Sequence, residues 1–440
     1  VTHHIQDVVE TSLDPVALTA GLARSGLFSE YVGYERNDEW TFAGGVLSSI
    51  ALDSDRITIH HAGGEPVSHA YRGHPGQALR NALDSLGYPE WRAYGWVGFD
   101  FASAVHIDPP APEAPPRRLA RLMIPRTEVR CTPAGTTVEG MDIAATERVL
   151  AELSQLRATP ATSGNGGGSV NAEADAASYR ARVRTAIEEI RRGLYQKVIL
   201  SRVVRLPFSV DFPATYVAGR RGNSPARSFL LDLDGVRCAG FSPELVVTVD
   251  EQRNVVTNPL AGTRAFGPDD ARNATARADL ESDPKEIYEH AVSVRAALTE
   301  MNSVCDPNST SVSDFMSVSE RGSVQHLAST VRGRLAPGNS AWDAFSVLFP
   351  AITASGIPKP DSLDAILRLD EPRGLYSGAI VTASSAGDLD AALVLRAVYQ
   401  EDGQAWLRAG AGIVAGSTPD REFEETREKL DSVLPFLVPA

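Results

Sequence analysis

Apolar residues recur at Tyr179, Val183, Ile187, Ile190 and Leu194, and spacings of three and four predict an amphipathic helix there. At Lys197 the period changes. The stretch KVILSRVVRLPF is β-branched and close to two-residue alternation, so a strand opens on a lysine, with Ile199, Ser201 and Val203 on its face. A strand-end lysine ordinarily snorkels into solvent, so position alone assigns Lys197 no chemistry. Residues 1–156 mix strand patterns (EWTFAGGVLSSIAL, RITIHH, AYGWVGFDF) with a short helical one (PGQALRNALDSLG). A Pro-rich break at 107–118 predicts an exposed loop, and 157–178, with almost nothing to bury, predicts a flexible connection.

Two further helices carry paired carboxylates. SDPKEIYEHAVSVRAALTEM starts with Asp283 as N-cap, Pro284 at the first helical position and Glu286 completing a capping box, which puts Glu286 and Glu289 one turn apart. STPDREFEETREKLDSVL, capped by Ser417 or Thr418, repeats the arrangement with Glu422 and Glu425, followed by Lys429. Each pair taken singly reads as a solvated helix face, and Glu425 with Lys429 as an i,i+4 ion pair. If the two helices face each other, four carboxylates repel unless a cation sits between them. Oxygen-only ligation suits Mg²⁺, because no His or Cys cluster has metal spacing.

Composition narrows the function classes. A chain of 440 residues, 43% hydrophobic, can bury a large core, and length alone suggests two or three units. A net charge of -14 argues against nucleic-acid binding, and requires a site for an anion to supply its own cations. Asp7, Glu10 and Asp14 in the first twenty residues do not read as a signal peptide, no apolar window is long enough to span a membrane, and Cys131, Cys238 and Cys305 lie far apart. A cytoplasmic protein is expected. AGAGIVAG lacks the G-x-G-x-x-G spacing and reads as a turn exposing backbone N–H groups to an anion; no G-x-S-x-G supports a serine hydrolase; His326 in SVQHLAST reads equally as a satisfied core histidine.

Taken in order, KVILSR, FSPELVV, NPLAGTRA, SDPKEIYEHAVSV, SVQHLASTV, AITASGIPK, RGLYSGAIV, LRAGAGIV and REFEETREKL resemble the chorismate-utilising enzymes over about residues 179–437. The resemblance implies an α+β fold, an antiparallel β-sheet sandwich with peripheral helices. Residues 1–156 would then add strands to the sandwich, 157–178 would be a surface loop, and 179–440 would hold the chorismate-binding catalytic part of one globular unit. Family members that add ammonia to the ring carry glutamine where this chain has Lys197, and the type with a lysine nucleophile carries it where this chain has Ala261, so a water-using enzyme is implied. TASGIPK and RGLYSG are most similar to the salicylate-forming members, which convert chorismate to salicylate and pyruvate through bound isochorismate. An isochorismate synthase that releases its product is the alternative.

By the same resemblance Lys197 is the general base on water, Glu244 the general acid on the departing C4 hydroxyl, and His326 positions the ring near that hydroxyl. Lysine at its reference pKa of about 10.4 is almost wholly protonated at neutral pH, so the role asks for a lowered value, and Glu244 asks for a raised one. Glu289 and Glu425 would hold Mg²⁺, supported by Glu286 and Glu422. Tyr376 and Arg396 would bind the enolpyruvyl carboxylate with N–H groups around Gly410 and Gly412; Gly262, Thr263 and Thr353 would line the ring; Lys429 would partner the metal-bound carboxylate. The resemblance further implies a monomer without a glutaminase subunit, making salicylate for a siderophore or another natural product.

Overall fold

Two long strands, Glu39–Asp53 and Arg118–Thr132, pair antiparallel along their whole length and set the architecture. At roughly 3.3 Å per residue each is about 50 Å long, enough to serve two sheets in turn. Toward one end they add Tyr31–Arg36 and Gly135–Gly140; toward the other they add Arg56–His61 and Arg92–Val97. Register shifts at Val46/Ser48 and Leu52/Asp53 mark irregularities along this shared ladder.

From Tyr31–Arg36 the first sheet continues through Arg227–Leu233, Val236–Ser242, Ala397–Glu401, Gln404–Ile413 and Lys197–Arg205 to the short strand Gly356–Ile357. From Arg92–Val97 the second runs through Ala379–Ser384, Leu389–Leu393, Leu245–Val249, Asn254–Thr257 and Val324–Arg334, the last also pairing Leu260–Ala265 and Ser311–Arg321. All these ladders are antiparallel. The computed structural model describes residues 6–9, 14–71, 73–107, 117–140, 143–156, 170–321 and 324–440.

Both faces of these sheets are buried, which is why many strands read as continuous apolar runs. In Arg227–Leu233, Phe229, Leu231 and Leu233 join a core with Trp96, Met123, Ile380 and Tyr399, whereas Leu230 points the other way into a cluster with Leu18, Val149 and Tyr216 from the helices Pro15–Arg24, Ile143–Leu156 and Phe212–Gly222. Helices Pro75–Asp84, Ala176–Arg191, Pro284–Val304 and Ala341–Leu348 cover the remaining apolar surface through Leu79, Val183, Met301 and Phe345. The arrangement is the sandwich with outer helices that the resemblance implied.

The helix expected from Tyr179 runs Ala176–Arg191, with Tyr179, Val183, Ile187 and Ile190 buried as the spacing requires. Leu194 lies beyond its end and is 48% exposed, contrary to the expected stripe. The reason is Gly193, whose φ of +79° turns the chain out of the helix while its N–H still reaches Ile190 O. Of the expected loops, 108–116 and 157–169 lie outside the described residues; Arg118 opens a long strand, and from Val170 the chain passes through a turn at 172–175 into the helix. No helix among the described residues is long and apolar enough to cross a membrane.

Candidate active site

The strand Lys197–Arg205 and its neighbour Gln404–Ile413 form the floor of a cavity enclosing about 790 Å³ of space between atoms, its mouth included. Glu244, Gly262, Thr263, Glu289, His326, Thr353, Tyr376, Arg396, Gly410, Gly412, Glu425 and Lys429, all singled out in the sequence, line it. They come from both sheets and from the two carboxylate-bearing helices, so only the folded chain brings them together. Alternation along Lys197–Arg205 explains the floor: Val198 and Leu200 enter the core, and Ile199 faces the cavity.

Lys197 does not snorkel. It is fully buried, its Nζ 2.9 Å from Glu289 Oε1 and donating to Ser293 Oγ at 2.9 Å. A Cβ on Gly412 would stand 2.1 Å from Glu289 Oε1 and 3.2 Å from Lys197 Cε, so only glycine leaves room for this pair. Gly410 is confined likewise, with Tyr376 Oη 2.8 Å from the position of its missing Cβ. The carbonyl of Gly410 accepts Lys429 Nζ at 2.8 Å; in a strand the N–H of a residue points to the same edge as its C=O, so Gly410 N–H also faces away from the lysine strand.

Glu244 is 3% exposed, and burial pushes its carboxyl up to about 8. Thr353 Oγ1 and, at 3.4 Å, Leu260 N donate to Oε1 and oppose that shift without cancelling it. A glutamic acid that keeps its proton at neutral pH is equipped to give it away.

On the other side Arg396 is buried with φ +48° and, among the described residues, no carboxylate pairs with it. Burial, and then Arg321, lower its guanidinium to about 10. It donates to Arg321 O at 3.0 Å and to His326 Nε2. Arginine can only donate, so the His326 proton sits on Nδ1, next to Gly262 O at 3.3 Å and Thr263 Oγ1 at 3.1 Å. Burial and Arg396 hold His326 well below its ordinary pKa, hence neutral. It thus steadies Arg396 and the irregularity at Gly262–Thr263 in the strand Leu260–Ala265, where Gly262 needs its φ of +84°.

The helices Pro284–Val304 and Pro419–Leu430 bring Glu286, Glu289, Glu422 and Glu425 together, as expected, around a cation that sequence reasoning missed. Lys285 Nζ lies 3.5 Å from Glu286 Oε1, 3.3 Å from Glu289 Oε2 and 3.4 Å from Glu422 Oε1. Burial raises Glu286 and Glu422, whereas for Glu289 and Glu425 it is outweighed by lysines: Lys197 and Lys285 for the first, Lys429, at 2.7 Å, and Lys285 for the second. Among the described residues Glu286 Oε2 is buried without a hydrogen-bond partner, and the buried Glu422 carboxylate has the Lys285 ion contact and Ser417 beside it. Oxygen donors of this kind suit a hard cation, although Lys285 stands between them and no three His, Cys, Asp or Glu side chains among the described residues are grouped so as to hold a metal ion. The expected capping box at Glu286 does not form: Asp283 caps alone, accepting from Lys285 N and Glu286 N, because Arg264 takes Glu286 Oε1 at 2.9 Å.

Arg408 was also missed. Its guanidinium donates to Ser201 Oγ (2.8 Å), Pro372 O (2.7 Å) and Glu371 O (2.7 Å) and lies 5.4 Å from the Tyr376 ring centre, fixing that tyrosine at the cavity wall. The signals existed: Arg408 has the strand parity of Gly410 and Gly412, and Lys285 and Ser293 each stand four residues from Glu289 on one helix face.

Residues 34–435 match the family of chorismate binding enzymes. A salicylate synthase of Mycolicibacterium paratuberculosis is 48% identical over 97% of this chain and 94% of its own, and an anthranilate synthase component 1 of Streptomyces coelicolor is 37% identical over 96% and 82%. Among solved structures, the menaquinone-specific isochorismate synthase of Escherichia coli superposes with a TM-score of 0.73 at 20% identity, covering 98% of this chain and 94% of that one, which shows a common fold.

Proposed function

Since this chain belongs to the chorismate-binding enzymes, we propose that it converts chorismate to salicylate and pyruvate through bound isochorismate, dependent on Mg²⁺. The observation that carries the reading is a carboxyl pushed up to about 8, Glu244, lining the same cavity as Glu289, whose Oε1 meets the Lys197 ammonium behind it: a proton donor in the link before the strand Leu245–Val249 and a lysine opening the strand Lys197–Arg205. Water loses a proton to Lys197 as its oxygen bonds to C2; both ring double bonds shift by one position, and the C4 hydroxyl leaves with the Glu244 proton. The ammonium formed at Lys197 is then held by Glu289 and Ser293. Glutamine at position 197, as in ammonia-using relatives, could not take that proton.

Glu289 and Glu425, with Glu286 and Glu422 beside them, would hold Mg²⁺, which supplies a counter-charge for the ring carboxylate. Arg396, carrying no carboxylate of its own among the described residues, and Tyr376 bind the side-chain carboxylate; His326 keeps Arg396 in place. Thr353 orients the acid. The second half-reaction, hydrogen transfer from C2 to the pyruvyl methylene with loss of pyruvate, asks for a side chain held over the ring more than for another base. A cytoplasmic monomer needing no glutaminase, delivering salicylate to a siderophore or another natural product, completes the reading.

The test is product analysis with purified protein, chorismate and Mg²⁺. Equal amounts of salicylate and pyruvate are expected; isochorismate accumulating alone would confine Lys197 and Glu244 to hydration.

A further inference from the structure

The hairpin Ser311–Arg321 and Val324–Arg334 brings a second arginine, Arg321, beside Arg396 and His326 of the cavity wall. In its register Ser319 lies opposite His326 and Arg321 opposite Val324. Residues directly opposite share a face, and so do residues two apart, so Arg321 leaves the hairpin on the same face as His326, diagonal to it. Its carbonyl accepts Arg396 Nη1 at 3.0 Å, which ties the two residues together.

Arg321 is half-buried, and its Nε is buried with no hydrogen-bond partner among the described residues. Among the described residues Nη1 reaches only the neighbouring carbonyl, Glu320 O, at 3.2 Å. Among the described residues no carboxylate pairs with it. Two cations without counter-charges, one lowering the other, are unfavourable in an empty site and favourable around a shared anion. Arg396 already spends two of its five donors on Arg321 O and His326, so a substrate carboxylate gains from a second fork.

We propose that Arg321 is a second binding residue for the carboxylate on the substrate side chain, and that its hold keeps isochorismate in the cavity until pyruvate is eliminated. The inference rests on the function proposed above. Three variants test it: Arg321→Met, which keeps the length and removes the charge; Arg321→Lys, which returns a charge; and Glu320→Gln, an exposed neighbour, as control.

Loss of a charged hydrogen bond should raise KM for chorismate about tenfold or more in Arg321→Met. Quenched time points should also show free isochorismate before salicylate, which a merely structural role would not produce at an unchanged melting temperature. Arg321→Lys should recover part of both, and Glu320→Gln should match the wild type. Wild-type KM and product ratio in Arg321→Met would overturn the role of Arg321. Calorimetric titration with chorismate separates the two claims: wild-type binding without turnover defeats the function reading, and equal affinity in wild type and Arg321→Met defeats the arginine.

Discussion

At the scale of single residues, the chemistry depends on which charges are left unbalanced. As the proposed acid, Glu244 is needed with its proton, and burial raises its carboxyl from 4.5 to about 8, so the alkaline limb of kcat/KM should fall as pH rises through that value. Thr353 donates to the ionised form and pulls the value down; Thr353→Val should therefore move the alkaline limb to higher pH, read from the same profile. Glu244→Gln should lower turnover about a hundredfold or more with the melting temperature little changed. Lys197→Gln should abolish water addition, scored by chorismate consumption; undiminished salicylate would remove Lys197 from its role. These residues were legible because the motifs carry them. Lys285 and Arg408 were not, because pairing across elements, which gives them meaning, has no trace in a one-dimensional pattern beyond parity.

At the scale of elements, two helices and one strand hold the site in register. The helix Pro284–Val304 is anchored at its start, where Asp283 caps two N–H groups and takes Arg264 at 2.6 Å. Asp283→Ala should cost about 0.5–2 kcal/mol in stability, measured by urea unfolding, and weaken the proposed Mg²⁺ binding by freeing the end that carries Glu286. In the strand Gln404–Ile413, Gly412→Ala would drive a methyl group into Glu289 Oε1, so chorismate turnover should collapse even where folding survives. Periodicity found these elements, and it missed their ends where local backbone geometry decided, as at Gly193.

At the scale of the whole molecule, the N-terminal third is stitched into the rest. Tyr31–Arg36 pairs with Arg227–Leu233, Arg92–Val97 pairs with Ala379–Ser384, and Tyr34 donates to Asp390, which Arg227 grips at 2.8 and 2.9 Å. Asp390→Ala leaves a buried guanidinium unpaired and should cost about 3–5 kcal/mol, read from the denaturant midpoint. The proposed metal is tested at this scale too. EDTA should stop turnover, and added Mg²⁺ should raise the melting temperature, because a cation bound only by the folded state stabilises it by mass action. Unchanged turnover in EDTA would sink the metal role.

By itself the sequence determined the amphipathic helices, the strand that opens on Lys197, the four glutamates and, through ordered motifs, the family and its sandwich, because local periodicity and residue identity are properties of neighbours along the chain. Only the tertiary structure decided that Lys197 is buried against Glu289, that Lys285 stands among the carboxylates, that Glu244 keeps its proton and that, among the described residues, no carboxylate pairs with Arg396 or Arg321. Burial and electrostatic pairing depend on distances between residues far apart in sequence, and those distances exist only once both sheets and their helices have closed around the cavity.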